Sequence, residues 1–242
     1  KAIARRVAQE LKSGWAVNLG FGVSANVPRI FLEEGLHGKV TWVIEQGAVG
    51  GVPLLDFQFG CSSNAEAIVP SPHQFTYFQA GGFDCSLLSF LQIDSHGSVN
   101  VSKLGVRPHV TAGAGGFVDI TARARKIVYS GFFNAGAKMD VVDGKLRIDK
   151  EGRVKKLVRE VEQVSFSGRR AVMQGQDVTY ITERCVMELT PQGIVVTEIA
   201  PGVELQANIL DQAEFPLLVA PNLKPMQPAL FRPETMGLQL HD

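Results

Sequence analysis

Apolar positions along the chain fall first into a helical spacing and then into short runs broken by glycine. Ile3, Val7 and Leu11 recur at every fourth position, predicting an amphipathic helix over residues 1–12. Trp15-Ala-Val-Asn-Leu19 reads as a strand running into Gly20-Phe21-Gly22-Val23, and the segment up to Glu34 reads as a helix broken or opened near Pro28. The next predicted strand, residues 39–44, delivers Glu45 into Gln46-Gly47-Ala48-Val49-Gly50-Gly51-Val52-Pro53, a bend too rich in glycine to continue as sheet. This succession of helix, strand and glycine turn predicts an α/β fold with an open parallel or mixed sheet flanked by helices. Such sheets bind ligands beyond the carboxyl ends of their strands, so Asn18, Gly20, Gly22 and Glu45 are expected on one rim.

Farther along, Pro70, Pro72 and Gly81-Gly82 punctuate short apolar pieces, and residues 83–93 combine a short helix with a strand. Ser98-Val-Asn-Val-Ser102 alternates as a half-buried strand does. A second glycine-rich element, Thr111-Ala-Gly-Ala-Gly-Gly-Phe-Val-Asp119-Ile-Thr, precedes a strand over residues 126–129. Val141-Val-Asp143-Gly-Lys145 and Thr190-Pro-Gln-Gly193 read as hairpin turns, and four prolines from Pro221 onward predict a segment wrapped over the surface. With no repeat and no flexible linker, residues 1–242 are expected to pack as one domain. Lys1 is not an initiator methionine and the helical spacing is already under way at Ile3, so the expectation is a chain that begins inside a longer polypeptide.

Composition narrows the function classes. The 45% hydrophobic fraction of 242 residues supports a sizeable core. Lys and Arg total 24 against 24 Asp and Glu, so no overall positive field argues for nucleic acid. No apolar run approaches the roughly 20 residues that cross a bilayer, and none argues for membrane association. Cys61, Cys85 and Cys185 lack zinc-finger spacing and an even count, which places the expectation in a reducing compartment, the cytoplasm. His37, His73, His96, His109 and His241 are too scattered for a metal motif, so no metal is expected. Cys61 has no nucleophile signature around it, and Phe75, Tyr77, Phe78 and Phe83 suit core packing as well as a pocket wall.

Glu45 is the residue with the most chemistry to offer. A carboxylate at a strand end can serve as nucleophile or base, or it can simply accept hydrogen bonds from loop amides. Glycines let backbone amides approach a ligand without Cβ obstruction, which makes Gly113, Gly115 and Gly116 a candidate ligand loop beside Gly20 and Gly22. Neither run is a P-loop, lacking the closing Lys-Ser/Thr, and neither has the G-x-G-x-x-G order of a dinucleotide site.

Glu45-Gln46-Gly47-Ala48-Val49-Gly50 matches the E-x-G-x-x-G pattern of the beta-type half of family I coenzyme A transferases, and the chain resembles that half over residues 1–216. The run Asn18 to Pro28, the extension through Gly51-Val52-Pro53, and Gly113-Ala-Gly-Gly116-Phe-Val-Asp119-Ile carry the likeness further. Within the family it is most similar to single-chain acetate and propionate CoA-transferases, in which an alpha-type half precedes the beta-type half on the same polypeptide. The resemblance implies a CoA-transferase-like fold, an upstream alpha-type half, a homo-oligomer, and exchange of CoA between a short-chain acyl-CoA and a free carboxylate such as acetate. It implies Glu45 as nucleophile, carrying CoA as a transient covalent adduct, with no tightly bound cofactor. Asn18, Gly20, Gly22 and Gly47 then become candidates for substrate positioning and oxyanion binding, and Gly113, Gly115, Gly116, Lys103 and Arg107 for holding CoA, with residues 153–156 as further phosphate contacts. An acyl-CoA hydrolase of the same structural group and a non-catalytic CoA or sugar-phosphate binding domain stand as alternatives.

Overall fold

Five parallel strands form the centre of a ten-stranded sheet in the computed structural model, which describes residues 1–105 and 113–240. The strands of this sheet are β1 (Ala16–Leu19), β2 (Thr41–Val43), β3 (Ala48–Val49), β4 (Ala67–Ile68), β5 (Cys85–Ser89), β6 (Lys126–Ser130), β7 (Asp177–Ile181), β8 (Cys185–Thr190), β9 (Gly193–Ile199) and β10 (Leu218–Pro225). Their spatial order is β10-β9-β8-β7-β6-β5-β1-β2-β3-β4. Pairing is parallel from β2 through β1, β5 and β6 to β7; antiparallel pairs extend the sheet on either side of this centre, and β10 adds parallel to β9 at one edge.

The central strands are covered on both faces, which is why they read as apolar runs. Alternation divides them between two cores. Leu88, Ile127 and Tyr129 face one cluster with Phe78, Phe117 and Phe166, whereas Leu87 and Val128 face a second with Val7, Phe31 and Trp42. The helices α1 (Ala2–Ala8) and α2 (Val27–Glu33) supply the second cluster, and α3 (Ser71–Gln79), α4 (Phe117–Arg123) and α5 (Gly168–Gln174) the first. The α5 boundaries follow from its ends: Ser167 accepts a bond from the Arg170 amide, and Gly175 closes the helix with φ 67°.

Several elements depart from expectation. The predicted helix over residues 1–12 is shorter and buried rather than amphipathic, and it carries Arg5 and Arg6 inward. Arg6 pairs with Glu198 and Glu10, while Arg5, 1% exposed, donates to the carbonyls of Ala229, Arg232, Pro233 and Glu234. The proline-rich end does run over the surface, most of residues 221–235 being exposed, and those bonds together with Met226, Leu230 and Phe231 buried in the second cluster anchor it there; its first part is strand β10. Pro28 lies in the first turn of α2, where its missing N–H is no loss, so the helix starts there and is not broken. No helix forms within residues 83–93; the helix lies earlier, at α3, with Pro72 in its first turn. Residues 98–102 give only a two-residue strand, and Asn100 is fully buried because its amide bonds Gln92 and the Ser102 and Lys103 amides.

Candidate active site

Glu45 stands at the carboxyl end of β2, in a tight reversal that the sequence expectation places outside the sheet. The chain in fact turns back into it. The Gly47 N–H donates to the Ile44 carbonyl at 2.9 Å, the Ile44 N–H donates to the Ala48 carbonyl at 2.9 Å, and β3 pairs antiparallel with β2. Glu45 and Gln46 are thus the two corner residues of a hairpin turn. Gly47 has φ 112°, and a Cβ there would stand 1.9 Å from the Val69 carbonyl oxygen, so only glycine lets β4 close over the turn. From α3, the Gln74 side-chain amide donates to the Ile44 carbonyl at 3.2 Å and the Ser71 hydroxyl to the Glu45 carbonyl at 3.4 Å. The backbone carrying the carboxylate is therefore tied by hydrogen bonds within the turn and by two from α3.

The carboxylate is half-buried and receives a hydrogen bond from the Gly116 N–H. Burial raises the Glu45 pKa above the ordinary carboxylate value, and the Gly116 bond opposes part of that rise. Gly116 permits this approach because it has no side chain: a Cβ would lie 2.6 Å from Glu45 Oε2 and 2.5 Å from the Phe75 ring. Gln46 Nε2 adds a weaker contact to Glu45 Oε1 at 3.4 Å.

A cavity of about 380 Å³ opens over the carboxylate. Gly20, Gly22 and Ser89 line it from the ends of β1 and β5, and Gly113 and Gly115 from the approach to α4. Phe21, Phe59, Phe90 and Phe117 make its walls largely apolar, Phe21 and Phe59 meeting edge to face at 5.5 Å. Among the described residues one ionisable oxygen pair lies on an apolar-walled floor flanked by two glycine loops, which suits attack on a carbonyl carbon with nearby backbone groups available to the developing charge.

The structure brings Glu45, Gly20, Gly22, Gly113 and Gly115 around this cavity and puts Gly116 against the carboxylate. Roles as amide donors need correction at two positions. The Gly20 N–H is taken by the Leu87 carbonyl at 2.8 Å, and the Gly47 N–H closes the turn, so both glycines serve close packing. Gly20 lets β5 approach, since a Cβ would come within 2.7 Å of Leu88. Asn18 also departs from expectation: it is wholly buried, donating to the Val43 carbonyl at 3.2 Å and accepting from the Ser86 hydroxyl at 2.9 Å. It thereby holds β1, β2 and β5 in line behind Glu45 instead of reaching a substrate. Lys103 is exposed and not part of the cavity lining; Arg107 lies outside the described residues. Arg153 is exposed, and Lys156 packs over the Phe90 ring.

The aromatic group Phe75, Tyr77, Phe78 and Phe83 packs on itself rather than forming the cavity wall. Of the wall residues, Phe21 lies between two glycines and Phe117 directly follows the second glycine run, whereas Phe59 and Phe90 fall outside both runs. Among the described residues no group of His, Cys, Asp and Glu is placed to hold a metal ion, and no helix is long and apolar enough to cross a membrane.

No protein-family model matches the chain. Caffeate CoA-transferase of Acetobacterium woodii is 44% identical over 241 residues, covering 98% of this chain and 46% of that protein. Acetate CoA-transferase YdiF of Escherichia coli K12 is 40% identical over 241 residues, covering 99% of this chain and 45% of its own length. The crystal structure of the acyl-CoA transferase YdiF apoenzyme from Escherichia coli O157:H7 superposes with a TM-score of 0.92 at 39% identity, again over 99% of this chain and 45% of the other. The chain thus spans about half the length of the relatives it matches. Agreement in sequence and fold along nearly all of these residues places the chain in the family I coenzyme A transferases.

Proposed function

We infer that this chain carries the nucleophile of a short-chain acyl-CoA:carboxylate CoA-transferase, acting with an alpha-type half of the same polypeptide in a homo-oligomer. The observation that carries this reading is the Glu45 carboxylate, held by a tied backbone turn at the floor of a glycine-flanked cavity. Homology to caffeate and acetate CoA-transferases supports the reaction type. So does the relative's structure described as a thioester complex with CoA.

In the proposed reaction a Glu45 oxygen attacks the acyl-CoA carbonyl carbon. The carbon–sulfur bond breaks, releasing CoA thiolate and leaving an acyl-glutamyl anhydride. The thiolate then attacks the glutamyl carbonyl; the anhydride carbon–oxygen bond breaks, and the donor's carboxylate leaves a glutamyl-CoA thioester. An acceptor carboxylate reverses the two steps. Each intermediate keeps the activation of the starting thioester, so the exchange needs no separate energy source and no tightly bound cofactor. Glu45 must be ionised to begin, and its raised pKa makes the carboxylate a stronger base and nucleophile once the proton is gone. Gly22 and Gly115, both lining the cavity, are assigned to the oxyanion formed at each attack. We assign Gly113 to the passage of the CoA arm.

Incubating the full-length protein with acetyl-CoA and mapping CoA-derived mass adducts by peptide mass spectrometry tests the assignment. A Glu45 adduct that a short-chain carboxylate removes, with new acyl-CoA appearing, supports it. Thioester loss that is independent of acceptor would instead assign hydrolysis, and undiminished turnover in Glu45→Ala would remove Glu45 from the chemistry.

A further inference from the structure

Phe90 and Lys156 stand between the Glu45 cavity and a second one. Phe90 follows β5 and lines the Glu45 cavity. Lys156 Nζ lies over the same ring, 4.2 Å from its centroid, and lines a neighbouring cavity of about 700 Å³ together with Phe132, Asn134 and Lys138. Among the described residues no carboxylate lies within ion-pairing distance of this ammonium group. The aromatic ring is its close neighbour.

Gly131, just after β6, carries the same message from another direction. Its φ is not left-handed, so the backbone does not require glycine there. A Cβ would stand 3.1 Å from Phe90 Cε1 and 3.3 Å from Lys156 Nζ, tighter than ordinary contacts. The missing side chain makes room for the stacked ring and ammonium. A cation over an aromatic face is held more strongly when both are withdrawn from water. Here burial lowers the Lys156 pKa to about 8, opposed by the field of Glu183 at the end of β7. Lys138, Asp140 and Asp149 are the other charged groups lining the Lys156 cavity.

Resting on the transferase reading, we propose that Phe90 sets the size limit for the acyl group and that Lys156 is the positioning residue that keeps its ring in the cavity wall. Acyl groups small enough to lie on the Glu45 side are accepted. Longer ones are turned away by a partition behind which space is already present. Removal of the ring joins the two cavities, so its effect on bulky substrates exceeds that of a simple enlargement.

The test compares kcat/KM for hexanoyl-CoA and acetyl-CoA, with propionate as acceptor, in the full-length protein. Phe90→Ala is expected to raise the hexanoyl-to-acetyl ratio at least about tenfold, since a single methylene in an apolar pocket is worth about 10- to 200-fold in discrimination. Phe90→Leu, which keeps apolar bulk but loses the ring face, moves the ratio the same way and stands in if the alanine variant does not fold. Lys156→Met raises it less. In the wild type the ratio climbs between pH 7 and pH 9 as Lys156 loses its proton, and in Lys156→Arg, where the cation persists, it stays flat. A rise retained in Lys156→Arg would place the titration on another group and overturn the role of Lys156. Intact acetyl exchange with an unchanged ratio in both Phe90 variants overturns the inference alone, whereas no exchange in the wild type sinks the transferase reading and this inference with it.

Discussion

Gly116→Ala isolates the contact between the second glycine loop and Glu45. Gly116 has φ −77° and ψ 1°, which alanine adopts without strain, so the perturbation is purely steric. The added Cβ would stand 2.6 Å from Glu45 Oε2 and 2.5 Å from Phe75 Cε1, where about 3.4 Å or more is ordinary contact. Carboxylate, ring or loop must therefore move by up to roughly 1 Å, a misplacement that can lower a rate about 100-fold. Movement of the loop also weakens the N–H bond that favours ionised Glu45, and a hydrogen bond to a charged group contributes about 1.5–3 kcal/mol. Burial raises the Glu45 pKa and this bond lowers it, so its loss raises the pKa further. The acid limb of the rate profile, where activity falls as Glu45 takes up its proton, must then shift to higher pH. Steady-state exchange measured from pH 5 to pH 9 in both proteins, with melting curves to confirm folding, gives both quantities. A folded variant with the wild-type kcat and an unmoved acid limb would refute the assignment of Gly116 to Glu45.

Other perturbations follow from the same geometry. If the proposed reaction is right, Glu45→Gln is expected to abolish CoA exchange and, at pH 7, to raise the melting temperature: a carboxyl whose folded pKa is raised destabilises the fold progressively as pH climbs above its unfolded value, so the difference from wild type shrinks toward pH 4 in calorimetry. Asn18→Ala leaves the Val43 carbonyl and Ser86 hydroxyl without their buried partner and should lower stability by about 1–3 kcal/mol in urea titration; a large rise in KM with unchanged stability would instead restore a substrate-orienting role. Arg5→Ala strips the carbonyls of residues 229–234 of their donor and is expected to destabilise by about 3 kcal/mol, with early cleavage near residue 230 in limited proteolysis as the readout.

Local chemistry made part of this architecture legible. Asp143-Gly144 and the Pro191-Gln192 pair sit at hairpin turns because their residues favour the required reversals, and Glu45 is placed at a strand end because an apolar run meets glycine there. The parallel centre likewise follows from apolar strands separated by helical segments. What stayed hidden depended on pairing across the chain. Nothing near Gly20 in sequence reveals that Leu87 takes its N–H, and nothing near Asn18 shows that Val43 and Ser86 occupy both ends of its amide. Prolines at 70 and 72 look like interruptions until α3 is seen to use Pro72 in its first turn. Arg5 and Arg6 look like a solvated helix face until carbonyls and carboxylates more than 190 residues away satisfy them.

The ties on the Glu45 turn all reach main-chain atoms: Gln74 and Gly47 hold the Ile44 carbonyl, and Ser71 holds the Glu45 carbonyl. Immobility is thus invested in the peptide, while among the described residues the side chain beyond Cα is steered by the Gly116 amide and one long contact to Gln46. Such a mounting behaves as a fixed pivot with a swinging arm. In the proposed cycle that arm bears in turn a bare charge, a small acyl group and a very large thiol, loads that differ widely in size and direction. A turn fastened through its peptide groups can accept each load by rotation about side-chain bonds, leaving β2, β3 and the core behind them undisturbed from one exchange to the next.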